Sequence, residues 1–165
     1  MKNGHRQHAE NDCYFPSAAF LGKGERQLSE KIILSHDLPT PEEFQQLRIK
    51  AGLSPRNPEA IAKALQNSCF CVTLRTQEKV LVGMGRIIGD GGTAFQITDI
   101  AVDPNYQGQG LGKKIMRELH LYIEQEIPTA AYISLIADGP AKELYRQFGF
   151  TETMPESTGM YYKRS

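Results

Sequence analysis

The chain carries no excess charge of either sign: 19 Lys and Arg stand against 19 Asp and Glu in 165 residues. That balance gives no reason to expect nucleic acid or an anionic membrane as a partner. No apolar run approaches the roughly 20 residues of a membrane span. The N-terminus lacks both a continuous apolar stretch and a cleavage site, so no secretory leader is expected. Cysteine is scarce and odd in number, three in all, which argues against a disulfide framework and for a reducing, cytoplasmic setting. Cys69 and Cys71, two apart, would share one face of a strand. With no second pair to complete a metal site, they read as buried thiols. His5, His8 and Cys13 make only a weak cluster, and no metal is expected.

What is present is one domain's worth of patterned chain. Residues 1–29 show neither helical nor strand period and carry isolated aromatics (Tyr14, Phe15, Phe20), so they read as an extension. The patterned domain runs from 30 to 165. Ile32–Leu34 suggest a first strand. "TPEEFQQLRIKAG" has Thr40 as N-cap, Pro41 at the first helical position, Glu43 as the capping-box acid and Gly52 as the stop. "NPEAIAKALQN" repeats the design with Asn57 and Pro58. "CFCVTLRT", "KVLVGMGRII" and "TAFQITDIAV" read as three strands, with "GDGG", Gly89–Gly92, as a tight turn. "KKIMRELHLYIEQE" has Ile115, Leu119, Tyr122 and Ile123 at helical spacing. "AAYISLIA" reads as a strand, "GPAKELYRQFG" as a short helix and "TGMYYKR" as a final strand, with a further strand conceivable near Phe150. The order β-αα-βββ-α-β-α-β is that of an α/β fold with a mixed sheet.

The densest signal is "YQGQGLGKK", which places Gly108, Gly110 and Gly112 between a strand and a helix. Backbone amides gather at such a helix N-terminus, and glycines let an anion approach them closely. Lys113 and Lys114 oppose the helix dipole, which makes sense if the loop holds an anion. Gly-x-Gly-x-Gly is not the Gly-x-Gly-x-x-Gly of dinucleotide sites. It is not a P-loop either, because only three residues separate Gly108 from Gly112.

"DIAVDPNYQGQGLGKKIM" resembles the acetyl-CoA signature of the GNAT superfamily of N-acetyltransferases, Gln/Arg-x-x-Gly-x-Gly/Ala, through Gln107, Gly110 and Gly112. "DGPAKELYRQFGF" resembles the family's second element through Ala141, Leu144, Tyr145, Gly149 and Phe150. Asp138 stands where that pattern has Asn. The resemblance covers all of the chain except the extension. It implies a central mixed sheet with two splayed parallel strands, here Phe95–Val102 and Tyr132–Ala137, flanked by about four helices.

The resemblance also implies a chemistry. Acetyl-CoA would lie in the splay. Its pyrophosphate would meet the amides of Gln107, Gly108, Gln109, Gly110, Leu111, Gly112 and Lys113. Its pantetheine arm would run along Ile100, Ala101 and Val102, with Asp138 as an acceptor. One of those amides would polarise the thioester carbonyl. Tyr145 matches the family's proton donor to the leaving thiolate, against the plainer reading of a core aromatic. The strand positions where relatives carry a basic glutamate hold Gln96 and Thr98. Asp99 is the nearby acid, either base or structural, and its parity puts it opposite Thr98 unless a bulge intervenes. Asp138 would also cap the last helix. Arg86, inside an apolar strand, either has a partner or faces solvent.

The expected activity is direct acetyl transfer, in a ternary complex, to the primary amine of a small molecule. The alternatives are a protein or peptide N-acetyltransferase and an acyl-CoA-binding module without turnover. The acceptor pocket would come from about Leu38–Pro58 and Thr151–Tyr162, and base rates suggest a homodimer. Acetyl-CoA should raise the melting temperature, because binding to the native state stabilises it by about 2.7 kcal/mol at a hundredfold excess over Kd. Differential scanning fluorimetry checks this, and a shift with NAD but none with acetyl-CoA would overturn the resemblance.

Overall fold

The computed structural model describes residues 31–162. The extension 1–29, with His5, His8, Cys13 and its aromatics, and the last residues of the expected final strand lie outside the described residues. Five strands form one sheet in the order β1 (Ile33–Ser35), β2 (Phe70–Arg75), β3 (Leu81–Gly89), β4 (Ala94–Val102), β5 (Tyr132–Leu135). The first four are antiparallel neighbours, and β4 and β5 run parallel. Four helices complete the fold: α1 (Pro41–Lys50), α2 (Pro58–Gln66), α3 (Leu111–Glu126) and α4 (Lys142–Arg146).

The caps work as the residue types dictate. Thr40 Oγ1 accepts from the Glu43 amide at 3.2 Å while the Glu43 carboxylate accepts from the Thr40 amide at 2.9 Å, a reciprocal capping box. Asn57 Oδ1 accepts from the Glu59 amide at 2.9 Å and Pro58 opens α2. Past the end of α1, Gly52 takes φ +80°, the left-handed stop that glycine accommodates without strain. Between β3 and β4, Asp90 accepts from the amides of Gly92, Thr93 and Ala94 and from the Thr93 hydroxyl. These bonds hold its carboxyl well below the usual carboxylate range. Arg75 grips Glu43 through two bonds of 2.5 and 2.9 Å, tying α1 to β2.

The sheet separates two cores. On one face α3 buries Ile115, Met116 and Leu119 against Val72, Val82, Ile87 and Ile97, each large side chain contributing roughly 1.5–3 kcal/mol. Tyr122 extends this stripe and stacks on Phe70 at 4.4 Å. On the other face Phe44 and Leu47 of α1 and Ile61 and Leu65 of α2 pack on Leu81, Met84 and Ala101. Cys71 is buried, and burial pushes its thiol up to about 11, so it is an inert core residue. Cys69 precedes β2 and packs on the α3 side, so the two thiols do not form the expected pair on one strand face. No group of metal-binding side chains occurs among the described residues.

Two expectations fail at the C-terminal end. The segment read as one helix is a 3-10 turn (Gly139–Ala141) followed by the short α4, because Gly139 takes φ +52° and Pro140 cannot donate to a preceding turn. No strand forms near Phe150 or over residues 158–162, and all of 151–162 is exposed. Those residues have strand-like composition but form no ladder with β5, the strand at that end of the sheet.

A β-carbon built on Gly85 would sit 2.6 Å from Ile115 Cγ2 and 3.1 Å from Leu119 Cδ1. Glycine is what lets α3 lie this close to β3. Gly85→Ala should therefore cost about 1–3 kcal/mol, the usual range for overpacking. It should be read as a lower urea midpoint at unchanged slope; a parent-like midpoint would show that α3 shifts away freely.

Candidate active site

Pairing between β4 and β5 stops early. Ala94–Ile97 match Tyr132–Leu135, and beyond Ile97 the two strands part. Thr98–Val102 therefore leave one backbone edge open. The orientation of that edge follows from alternation. The Asp103 amide donates to the Val82 carbonyl on the β3 side at 2.8 Å, so Val102 turns its own amide and carbonyl the other way. In agreement, the Val102 carbonyl accepts the Gln107 side-chain amide at 3.0 Å. Ile100 and Val102 both pack on the α3-side core, so the alternation holds between them and Ile100 presents the same edge. Ala101, on the opposite face, is buried against the α1 and α2 side.

The parting is built by a bulge. The register slips by one residue between Met84↔Ala101 and Arg86↔Thr98, and inside the slip Asp99 has φ +56°. A left-handed backbone is uncommon outside glycine, though Asp tolerates it better than most residues. The slip turns Asp99 toward α1, where its side chain is only 3% exposed. One carboxylate oxygen accepts from Arg48 of α1, and the other accepts from Arg86 of β3, through Nε at 2.8 Å and again through Nη2. Both guanidiniums lie over the Phe44 ring, at 5.5 and 5.3 Å. Their remaining donors reach backbone and Ser68: Arg48 binds the Ser54 carbonyl at 2.8 and 3.1 Å, and Arg86 binds the Ala64 carbonyl and Ser68 Oγ, each at 2.8 Å. Burial pulls the Arg48 guanidinium below its ordinary pKa, opposed by the Asp99 carboxylate.

Arg48 thereby anchors the α1–α2 loop. Gln45 holds the same loop from the other side, donating to the Arg56 carbonyl at 2.8 Å and accepting from the Arg56 amide at 3.0 Å. Loop and splay together enclose a cleft of about 490 Å3, lined among others by Arg48, Ser54, Arg56, Asp99, Asp138 and Tyr145. Tyr145 is buried, and burial, reinforced by the Asp138 carboxylate, raises its phenol above the ordinary value. Asp138 is exposed and stands at the N-cap position of the 3-10 turn, but its side chain makes no cap bond. The capping role expected of it is not present.

The glycine loop lies at the far end of the open edge. Gly108 and Gly110 take φ +74° and +76°, and a β-carbon at either would meet nothing within 4 Å. Their requirement is conformational: a side chain there would be strained. Gly110 is the N-cap of α3 and supplies no side-chain bond to it, so the amides of Leu111, Gly112 and Lys113 in the first turn lack helical acceptors. Gln107, Gly108, Gln109 and Lys113 are exposed, and Leu111 is buried beneath them. A β-carbon built on Gly112 would sit 3.4 Å from Leu144 Cδ2 of α4. Lys114 donates to the Ile32 carbonyl at 3.3 Å, so its place in the first turn follows from a contact with the strand edge rather than from an anion. An open strand edge continuous with glycine-lined, uncapped amides fits an extended ligand that ends in phosphates.

The structure thus brings Thr98, Asp99, Ile100, Asp138 and Tyr145 to one cleft. Arg48, Ser54 and Arg56 lie within Leu38–Pro58, the segment expected to supply the acceptor pocket, and Leu135 and Ile136 lie in the strand expected to splay, although none of the five stood out individually in the sequence. A signal existed for Arg48, which follows Phe44 and Leu47 on the buried stripe of α1; a charge on such a stripe calls for an opposite partner. The expected acceptor segment Thr151–Tyr162 does not line this cleft.

Residues 66–152 match the family described as "Acetyltransferase (GNAT) domain". The chain is 50% identical to a solved structure of a probable acetyltransferase from meticillin-resistant Staphylococcus aureus, covering 81% of this chain and 100% of that one at a TM-score of 0.77. It is 35% identical over 132 residues to a Glycine max protein named histone acetyltransferase, covering 73% of this chain and 55% of that protein. It is 34% identical over 141 residues to a chloroplastic GCN5-related N-acetyltransferase of Arabidopsis thaliana, covering 73% and 53% respectively. The chain therefore spans about half the length of these plant relatives.

Because its single negative charge is shared by two buried guanidiniums, one on each carboxylate oxygen, Asp99 ties α1 to the sheet. Asp99→Asn should destabilise the fold by about 3–5 kcal/mol, the cost of leaving a buried charge uncompensated. Urea unfolding measures this; a variant of parental stability that has lost turnover would return Asp99 to the role of base.

Proposed function

Since the chain belongs to the GNAT superfamily of acetyltransferases, we propose that the cleft moves an acetyl group from acetyl-CoA directly to the primary amine of a small molecule, both substrates being bound at once. Acetyl-CoA supplies the activated acyl group as a thioester. The amides of the Gln107–Lys113 loop receive its pyrophosphate, and the open edge of Ile100 and Val102 pairs with its amide-bearing arm. The scarcity of cysteine supports a reducing, cytoplasmic setting.

The chain's own residues then handle two protons. An alkylammonium with a pKa of about 10.4 is free amine in only ~1 part in 10³ at pH 7. Of the two carboxylates lining the cleft, Asp99 is held by arginines and Asp138 is exposed. Asp138 is thus placed to take the ammonium proton and pass it to water. The amine attacks the thioester carbon and the C–S bond breaks. Tyr145, kept protonated by burial, donates to the departing thiolate.

The observation that carries the small-molecule reading is the charge of the cleft wall. Arg48 and Arg56 line it, Arg86 stands behind Asp99, and Asp99 and Asp138 are the opposing acids. Such a wall repels a lysine-rich tail and suits an amine that also carries an anionic group. The Glycine max relative's name favours a second reading, acetylation of a protein lysine. An assay of thiol release with amino acids, amino sugars, polyamines and peptides separates the two. Thiol release with none of them would favour a binding module without turnover.

Tyr145→Phe removes one hydroxyl and almost no volume. Its kcat should fall by about 10²–10⁴, the usual range for a general acid, with acetyl-CoA affinity near parental. The alkaline limb that Tyr145 contributes to the parent's kcat profile should lie above pH 10, since burial raises its pKa, and should vanish in the variant. A parental kcat under conditions where chemistry limits the rate would remove Tyr145 from the mechanism.

A further inference from the structure

We infer that Arg56 is the specificity residue of the cleft and takes the carboxylate of a zwitterionic amino acid, whose amine is the acetyl acceptor. The inference rests on the functional reading above and gives the acceptor its chemical class. Three arginines surround the cleft, and two of them are occupied. Arg48 directs its donors to Asp99 and to the Ser54 carbonyl. Arg86 directs its donors to Asp99, the Ala64 carbonyl and Ser68. Arg56 is exposed, lines the same cleft and forms no ion pair among the described residues.

The backbone that carries Arg56 is held in place. The Leu53 amide donates to the Arg48 carbonyl at 2.9 Å, and the Ser54 carbonyl accepts from the Arg48 side chain. The Gln45 side chain binds both the amide and the carbonyl of Arg56. These bonds stitch the loop to α1, and α1 is bound to β4 through Arg48 and Asp99. The root of Arg56 is therefore held relative to β4. Every one of these bonds reaches the loop through its backbone, so a different side chain at position 56 leaves them intact.

Charge balance names the ligand. Arg48, Arg56 and Arg86 bring three positive charges, and Asp99 and Asp138 bring two negative ones, so one positive charge is left over. It is felt inside the cleft: burial lowers the Arg48 pKa, Asp99 opposes this, and Arg56 lowers it further. A single carboxylate cancels the excess, and its two oxygens match the guanidinium fork. A phosphate, with up to two charges, overshoots it. Asp138 sets the other end of the acceptor. Its charge acts on the Tyr145 phenol, so an ammonium drawn to Asp138 stands at the reacting end. Ammonium toward Asp138 and carboxylate toward Arg56 orient a zwitterion, whereas a polyamine has nothing to offer Arg56.

The test assays a series of amino acids of increasing amine-to-carboxylate spacing, each beside its own carboxamide, with acetyl-CoA as donor. The best acid should exceed its carboxamide in kcat/KM by about tenfold to a hundredfold, the range for a hydrogen bond between charged groups. The difference should lie in KM, as for a contact made equally in ground and transition states. Arg56→Gln should close that gap, and Arg56→Glu should reverse it in favour of the carboxamide. Equal kcat/KM for acid and carboxamide in the parent, or a gap that persists in Arg56→Gln, would overturn the inference. A second arm needs no turnover. Phenylglyoxal modifies accessible guanidiniums, and peptide mass spectrometry follows Arg56. Acetate should slow that modification in a saturable way, beyond the effect of chloride at equal ionic strength and beyond that of inorganic phosphate. No protection by acetate, or stronger protection by phosphate, would overturn the carboxylate assignment. A parent that acetylates no amine at all would sink the functional reading, while protection of Arg56 still decides this one.

Discussion

Everything around the cleft hangs on one buried carboxylate. Asp99 sits at a bulge where the backbone is left-handed, and its two oxygens bind arginines from two different elements. Remove the bulge and Asp99 would turn into the α3-side core, where no cation waits for it. Remove the arginines and nothing would compensate a charge buried to this depth. The bulge also ends the β4–β5 pairing, so the feature that neutralises the charge is the one that opens the sheet. Arg48 carries the constraint further, because its remaining donors fix the Ser54 carbonyl. The loop wall of the cleft is therefore referenced to β4.

Much of the fold was legible because its signals are local. Thr40, Glu43, Asn57 and Pro58 mark two helix starts through bonds made within three residues, and those bonds are present. Gly108 and Gly110 marked the loop as one open to close approach, and the left-handed backbone they take was not part of that reading. The bulge was not legible: parity places Asp99 with Ile97, and only the slipped register against β3 reverses this. The same limit hid the triad, since Arg48, Arg86 and Asp99 lie 51 and 13 residues from one another's partner. Arg86 had drawn attention as a charge in an apolar strand, but the residue pairing with it could not be read from spacing.

The C-terminal end shows the opposite failure. There the residues have strand composition and the described residues form no strand, because a strand is a property of two paired segments and 151–162 make no ladder with β5. Lys114 is a smaller instance. Its charge in the first turn of α3 suggested a phosphate, whereas its ammonium lies on the Ile32 carbonyl.

The parallel match of Ala94 with Tyr132 has a kinetic side. β2, β3 and β4 are joined by turns of a few residues, so their ladder can close early at small entropic cost. β5 must return across a loop and the whole of α3, a separation of nearly forty residues, for a ladder only four residues long. Contacts that close long loops for few bonds form late. The gap between β4 and β5 is thus an organ of the nearly finished molecule. A nascent chain can thus have its central antiparallel ladder before it has the parted strands that line the cleft.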